Sequence, residues 1–205
     1  MNETSAREAV LGRVRAALAD VDPGMPVAPV PPVPGHSIGS TEQLLDLFVE
    51  RVEDYRATVV RTRPEALAST VAEALHGIHP VVVPADLGLD VPGASADSGQ
   101  SAAELDGFEA VVTRAAVGIA ETGTVVLDHG TGQGRRALSL VPDRHVCVVE
   151  ASQVVGDVPE AVARLDPLRP QTWVSGPSAT SDIELTRVEG VHGPRTLVVV
   201  LVEQA

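Results

Sequence analysis

Residues 196–202 read Thr-Leu-Val-Val-Val-Leu-Val, and residues 145–149 read His-Val-Cys-Val-Val. Short runs so rich in β-branched residues favour strands buried on both faces, the condition of a parallel sheet. Working outward, further strands are expected at residues 57–60, 79–83, 109–113, 123–127 and 172–175. Between them lie helical patterns. Ser40 with Gln43 makes a capping box ahead of Leu44, Leu45, Phe48 and Val52, which would form one buried face. Pro64 opens a second pattern with Leu67, Val71 and Leu75 inward and Gly77 just past its end. Asp157 with Glu160 caps a third that ends near Leu165. Strand–helix–strand succession of this kind is the grammar of a parallel sheet. The expected fold class is α/β: a mainly parallel sheet with helices on both faces.

Ahead of this body, residues 5–20 carry Leu11, Val14 and Leu18 at helical spacing. Residues 21–35 then hold six prolines, at 23, 26, 29, 31, 32 and 34, and read as an extended, semi-rigid linker. The expected organisation is a helix over 1–20, an arm over 21–35 and one α/β domain over 36–205. The helix on its arm is free to pack on the main body or on another copy of the chain, a route to a homo-oligomer.

Composition narrows the partners. The formal charge is −13, with no cluster of Lys and Arg, and aromatics are limited to Trp173, Tyr55, Phe48 and Phe108. Neither a phosphate-backbone footprint nor a stacking platform is present, so nucleic acid is excluded, and an anionic membrane surface is unattractive. No stretch approaches 18 apolar residues, so no membrane span is expected, and residues 1–20 lack the pattern of a signal peptide. Cys147 is the only cysteine, which forbids a disulfide within the chain and fits a reducing, cytoplasmic setting. One thiol cannot carry an iron–sulfur cluster or a thiolate zinc site alone. His36, His76, His79 and His129 show no metal-ligand spacing, and no metal site is expected.

Three loops break local rules at strand ends, where ligands on open α/β sheets gather beyond the carboxyl termini. In Ala120-Glu121-Thr122-Gly123-Thr124, Glu121 is a candidate nucleophile or general base if it is partly buried; a solvated turn residue is the plain alternative. In Gly130-Thr131-Gly132-Gln133-Gly134-Arg135-Arg136, alternating glycines can make an anion nest with charge from Arg136, or simply a flexible hairpin loop. The spacing is not that of a dinucleotide fingerprint. In residues 174–184, a strand gives way to Gly176 and Pro177, and Ser178, Thr180 and Asp182 crowd what reads as the first turn of a helix from 178 to about 185. Free N–H groups there favour a small organic anion, unless Asp182 caps the helix itself. His192, between glycines 190 and 193, is a further anion-binding candidate. Buried packing is the expected role of Cys147, in mid-strand.

Taken in order, A-E-T-G-T at 120–124, Ser139-Leu140-Val141-Pro142 followed by His145-Val146, residues 176–184 and G-V-H-G-P at 190–194 resemble the LutC/YkgG (LUD-domain) family. The resemblance is firm over residues 109–202. It implies a fold like that of the sugar-phosphate isomerases and CoA transferases (NagB/RpiA/CoA-transferase-like). It also implies a place in a three-component system that oxidises L-lactate to pyruvate, with iron–sulfur clusters in the partner subunits and none in this chain. A stand-alone CoA-transferase-like or isomerase-like enzyme using Glu121, and a non-catalytic carboxylate-binding module, are the other readings.

Overall fold

The structure is a computed structural model, and it describes residues 3–22, 39–181, 187–189 and 193–203. The chain divides into two units, Met1–Val33 and Pro34–Ala205. In the first, residues Glu3–Ala17 form α1. Apart from Val21 and Asp22, the proline-rich arm lies outside the described residues.

The second unit is built on six strands. They are β1 (Thr58–Thr62), β2 (Val81–Val83), β3 (Ala94–Ala96), β4 (Ala110–Arg114), β7 (Arg144–Glu150) and β12 (Thr196–Val202). Their order is β1-β12-β7-β4-β2-β3, and every neighbouring pair is parallel. Register places Val198 beside Val146 and Val146 beside Val112, so that face is a layer of valines. Helix α3 (Leu67–Ala74) covers it with Leu67 and Val71, and Leu75 follows at the helix end. Gly77, just beyond, takes the left-handed φ of 73° that ends the helical segment.

The opposite face presents Cys147, Val149, Leu197, Val199 and Leu201 to helix α2 (Thr41–Asp54). The expected capping box starts α2: the Gln43 N–H donates to Ser40 Oγ at 3.3 Å, and the Ser40 N–H to Gln43 Oε1 at 2.9 Å. Leu45, Phe48 and Val52 are buried, while Leu44 sits half-buried at the margin. Two short helices, α4 (Ala102–Leu105) and α5 (Arg136–Leu140), add Leu105 and Leu138 against Val82 and Val111. Helices therefore stand on both faces of a parallel sheet, as the sequence implies.

One part of the sequence reading needs correction. Residues 124–127 do not continue the main sheet. They form β6 (Thr124–Leu127) of a second, mixed sheet, ordered β8-β5-β6-β9 with β5 (Val117–Ile119), β8 (Val154–Val155) and β9 (Thr172–Val174). One face of it meets α2 through Val125 and Val154; the other carries Val117, Ile119, Val126 and Val155 onto Ala161 of α6 (Val158–Arg164) and Leu165. Asp157 caps α6 as expected, accepting the Glu160 N–H at 2.9 Å.

A second correction concerns residues 179–181, within the stretch from 178 to about 185 read from sequence as the start of a helix. The chain instead pairs β10 (Ala179–Ser181) with β11 (Arg187–Glu189) in an antiparallel ribbon, Thr180 opposite Val188. β-Branched Thr180 and Val188 favour extended backbone, and residues 182–186 lie outside the described residues.

Phe48 ties the layers together. It is fully buried, and at Gly118 of β5 a Cβ would stand 3.1 Å from its ring, so the close approach of α2 to the small sheet needs a glycine there. Phe48→Ala opens a cavity shared by both sheets and is expected to cost roughly 3–5 kcal/mol. Urea denaturation of the two proteins measures it, and a loss below about 1 kcal/mol would mean that the layers do not depend on this ring.

Candidate functional site

Two of the loops singled out above converge on the end of α2. Gly123 (φ +56°) lies so close to the Arg51 carbonyl that a Cβ would collide with it, and Gly176 (φ +77°) is packed the same way against Tyr55. A chain of hydroxyls joins the loops: Thr122 Oγ1 to Thr124 Oγ1 at 2.7 Å, and Thr124 Oγ1 to Ser175 Oγ at 2.8 Å. Glu121 stands on the adjoining turn and is exposed, with its backbone N–H donating to Gly156 O at 3.0 Å.

Behind residues 172–178 is a cavity of about 240 Å³. Gly176 and Ser178 line it, together with Ser139 and Leu140 of α5, His145, Leu197, Gly193 and Pro194. The Ser178 N–H donates to Pro194 O at 2.8 Å, which closes one wall. Glu121 and Arg136 do not line this cavity; Arg136 is exposed at the first residue of α5. Thr180 lies in β10, and Asp182 and His192 fall outside the described residues. The cavity sits by His145 and Leu197, at the amino ends of β7 and β12, and not at the carboxyl ends where the sequence argument places a ligand.

His145 forms its floor and is buried, with Nε2 2.8 Å from Thr113 Oγ1. Burial pushes its pKa down to about 4, so the ring is neutral at pH 7. Cys147, two residues on and on the same face of β7, receives a long contact of 3.7 Å from Thr113 Oγ1. Burial pushes its thiol up to about 12. The described lining holds hydroxyls, apolar side chains and a neutral imidazole, without Lys or Arg. A carboxylate entering there would shed water with no counter-charge to meet it. With β10 at residues 179–181 in place of a helix, no helix N-terminus supplies free N–H groups beside Ser178.

The glycine-rich loop is ordered by its own side chains. Buried Asp128 accepts the Gly130 N–H at 3.1 Å and Gln133 Nε2 at 2.9 Å, while Gln133 Oε1 accepts the Asp128 N–H at 2.7 Å. His129, at a φ of 57°, spans from Gly134 O (2.9 Å) to Thr172 Oγ1 (3.1 Å). Arg135 forks onto Asp97 at 2.9 and 3.0 Å and holds that carboxyl below the usual range. Three other arginines stand around this loop, and sequence reading did not single them out: Arg114, Arg164 and Arg169, lining a cleft of about 480 Å³. Only Arg114 leaves a trace in the sequence, as a cation directly after the apolar run 110–113. Among the described residues, no group of three or more His, Cys, Asp or Glu stands close enough to hold a metal ion, and no helix is long and apolar enough to cross a membrane.

A doubly covered parallel sheet carrying these loops now has relatives to set beside it. Residues 93–202 match the LUD domain, and the chain belongs to the LUD-domain family. It is 46% identical over 184 residues to lactate utilization protein C of Deinococcus radiodurans, covering 84% of this chain and 86% of that one. It is 28% identical over 187 residues to YkgG of Escherichia coli, covering 79% of this chain and 80% of that one. The crystal structure of a DUF162 family protein from Deinococcus radiodurans superposes with a TM-score of 0.68 at 41% identity, over 80% of this chain and 99% of that one.

The state of His145 makes stability depend on pH. The unfolded ring takes its proton near pH 6.5 and the folded one only near 4. The unfolded state therefore binds more protons in between, and stability is full above pH 6.5 and falls as pH drops towards 4, by up to about 3 kcal/mol. Denaturation of the native chain and of His145→Gln at pH 7, 5.5 and 4 isolates this contribution. Equal acid sensitivity in the two proteins would show that the buried ring is not its source.

Proposed function

We propose that this chain serves lactate utilisation as the cluster-free subunit of an iron–sulfur complex that oxidises L-lactate to pyruvate. The observation that carries the reading is the 46% identity, across 84% of the chain, to a protein named for lactate utilisation. Oxidation of lactate releases two electrons and two protons, and the proposal puts the electron acceptor in the partner subunits. The residues of this chain do not fit a cluster. Thiolates are the ligands of iron–sulfur centres, and the single cysteine is buried in β7 with its thiol held protonated.

The exposure of Glu121 bears on the rival reading of a stand-alone acyl- or proton-transfer enzyme. A carboxylate open to water does not meet the condition set for Glu121 as a nucleophile or base, that it be partly buried. Under the proposal, Glu121→Gln supports lactate oxidation within about twofold of the native chain, since a surface substitution changes little.

The deciding experiment is a tagged pull-down from native cytoplasm under anaerobic conditions, with absorption spectra of the eluate. A brown eluate that contains cysteine-rich partners and oxidises L-lactate is the expected result. A colourless eluate without partners, or lactate turnover by the isolated chain with an electron acceptor, would overturn it.

A further inference from the structure

We propose that the cleft framed by Arg114, Arg164 and Arg169 is a binding site for a small oxyanion, a carboxylate or a phosphate on a short organic body. The three guanidinium groups come from the end of β4, the end of α6 and the segment that follows α6. Each is positioned by the protein. Arg114 donates from Nε to Leu87 O at 2.9 Å and from Nη1 to Glu150 Oε1 at 3.2 Å. Arg169 Nη1 donates to Asp128 Oδ2 at 2.8 Å, and Arg164 Nη1 to Ser152 O at 3.1 Å. A guanidinium carries five donors in a planar fork, so most of each fork is left for a ligand.

Charge follows the same pattern. Glu150 balances Arg114 and Asp128 balances Arg169, whereas Arg164 has no carboxylate partner among the described residues. The cleft is thus net positive on a chain of formal charge −13. The glycine-rich loop is fitted to it. A Cβ at Gly130 would stand 3.1 Å from Arg169 Nη2, and one at Gly132 would stand 2.9 Å from Arg114 Cδ. Gly130 is also crowded by the loop's own Asp128 Oδ1, at 2.9 Å from such a Cβ, and Gly132 takes a left-handed φ of 73°; in addition both glycines let an arginine lie close against the loop backbone.

Position supports the assignment. The cleft opens beyond the carboxyl ends of β4 and β7: Arg114 to Val117 lead out of β4, and Ser152 and Gln153 follow β7. Ligands on open α/β sheets gather beyond such ends. Arg114 is the last residue of β4, and its N–H donates to Gly132 O at 2.8 Å. The volume, about 480 Å³, is that of a small-molecule site. Val117 and Leu165 offer an apolar wall, and Thr131 and Gln153 further polar groups.

The test uses the isolated full chain, so its outcome is separate from that of the pull-down. Isothermal titration at low ionic strength, where screening is weak, is run with inorganic phosphate and, separately, with pyruvate as a small carboxylate. At least one probe should bind saturably, and which one tells the two sources apart. Arg164→Gln should weaken that binding about tenfold or more, the worth of a charge-assisted contact. Arg63→Gln, which removes the same charge from an exposed site elsewhere, should leave it unchanged. Arg169→Gln, with thermal unfolding as a check on its integrity, gives a second reading if Arg164→Gln fails to fold. Binding by neither probe, or equal weakening in Arg164→Gln and Arg63→Gln, would overturn the site.

Discussion

Strand β12 enters the main sheet between β1 and β7, and the larger unit closes only when it does. Strand β1 pairs with nothing else in that sheet, and its Thr58 lies beside Val198. Leu197, Val199 and Leu201 face α2 while Val198, Val200 and Val202 face α3, so burial alone would tolerate a slip of one residue. The ends remove that freedom. Arg195 forks onto Asp143 at 2.5 and 2.9 Å, and the Thr196 N–H donates to Asp143 O at 3.1 Å. At the other end the Glu203 N–H donates to Thr62 O at 2.8 Å, and Arg61 pairs with the Glu203 carboxylate at 3.3 Å. Apolar burial makes the strand central, and polar contacts at its two ends choose its register. Pairing across so much sequence also delays folding, because loop closure precedes the gain from contacts.

The parts of this fold that sequence reading recovers are those whose cause is local. Valine runs mark β7 and β12 because burial on both faces leaves no alternation to read, and Ser40 and Asp157 mark helix starts because their hydrogen bonds reach only three residues. What it misses has a distant cause. Strands β3, β5 and β8 have two or three residues each, too few to show a period. The membership of β6 in a second sheet is decided by β9, with Val126 against Trp173, which nothing near residue 126 announces. Residues 179–181 fail as a helix for the same reason, since their partner is 187–189.

The site divides in the same way. Gly123 and Gly176 stand out in sequence as turn residues, and the structure gives each a reason in the nearness of α2. The cations are another matter. Arg135 and Arg136 are next to the glycine motif, yet one is committed to Asp97 and the other is exposed. The arginines that do surround the loop are separated from it by a strand, a sheet or a helix, and only the topology assembles them.

Strand β7 links the two candidate sites. His145, near its amino end, forms the floor of the neutral cavity, and Glu150, its last residue, anchors Arg114 beside the cationic cleft. Five residues of extended chain separate them by about 16 Å. Because β7 is buried on both faces between β12 and β4, that spacing is fixed. A molecule the size of a short hydroxy or oxo acid cannot reach both, so the neutral cavity and the arginine cleft do not form one catalytic centre for such a substrate. If the cleft holds the anionic group, the cavity answers to something else: an uncharged part of a longer ligand, or nothing beyond the packing of the loops around His145. If the cleft does, the carboxylates beside it, Asp128 and Glu150, are already paired with Arg169 and Arg114, and a chain so arranged is suited to presenting a small molecule to chemistry carried on another surface.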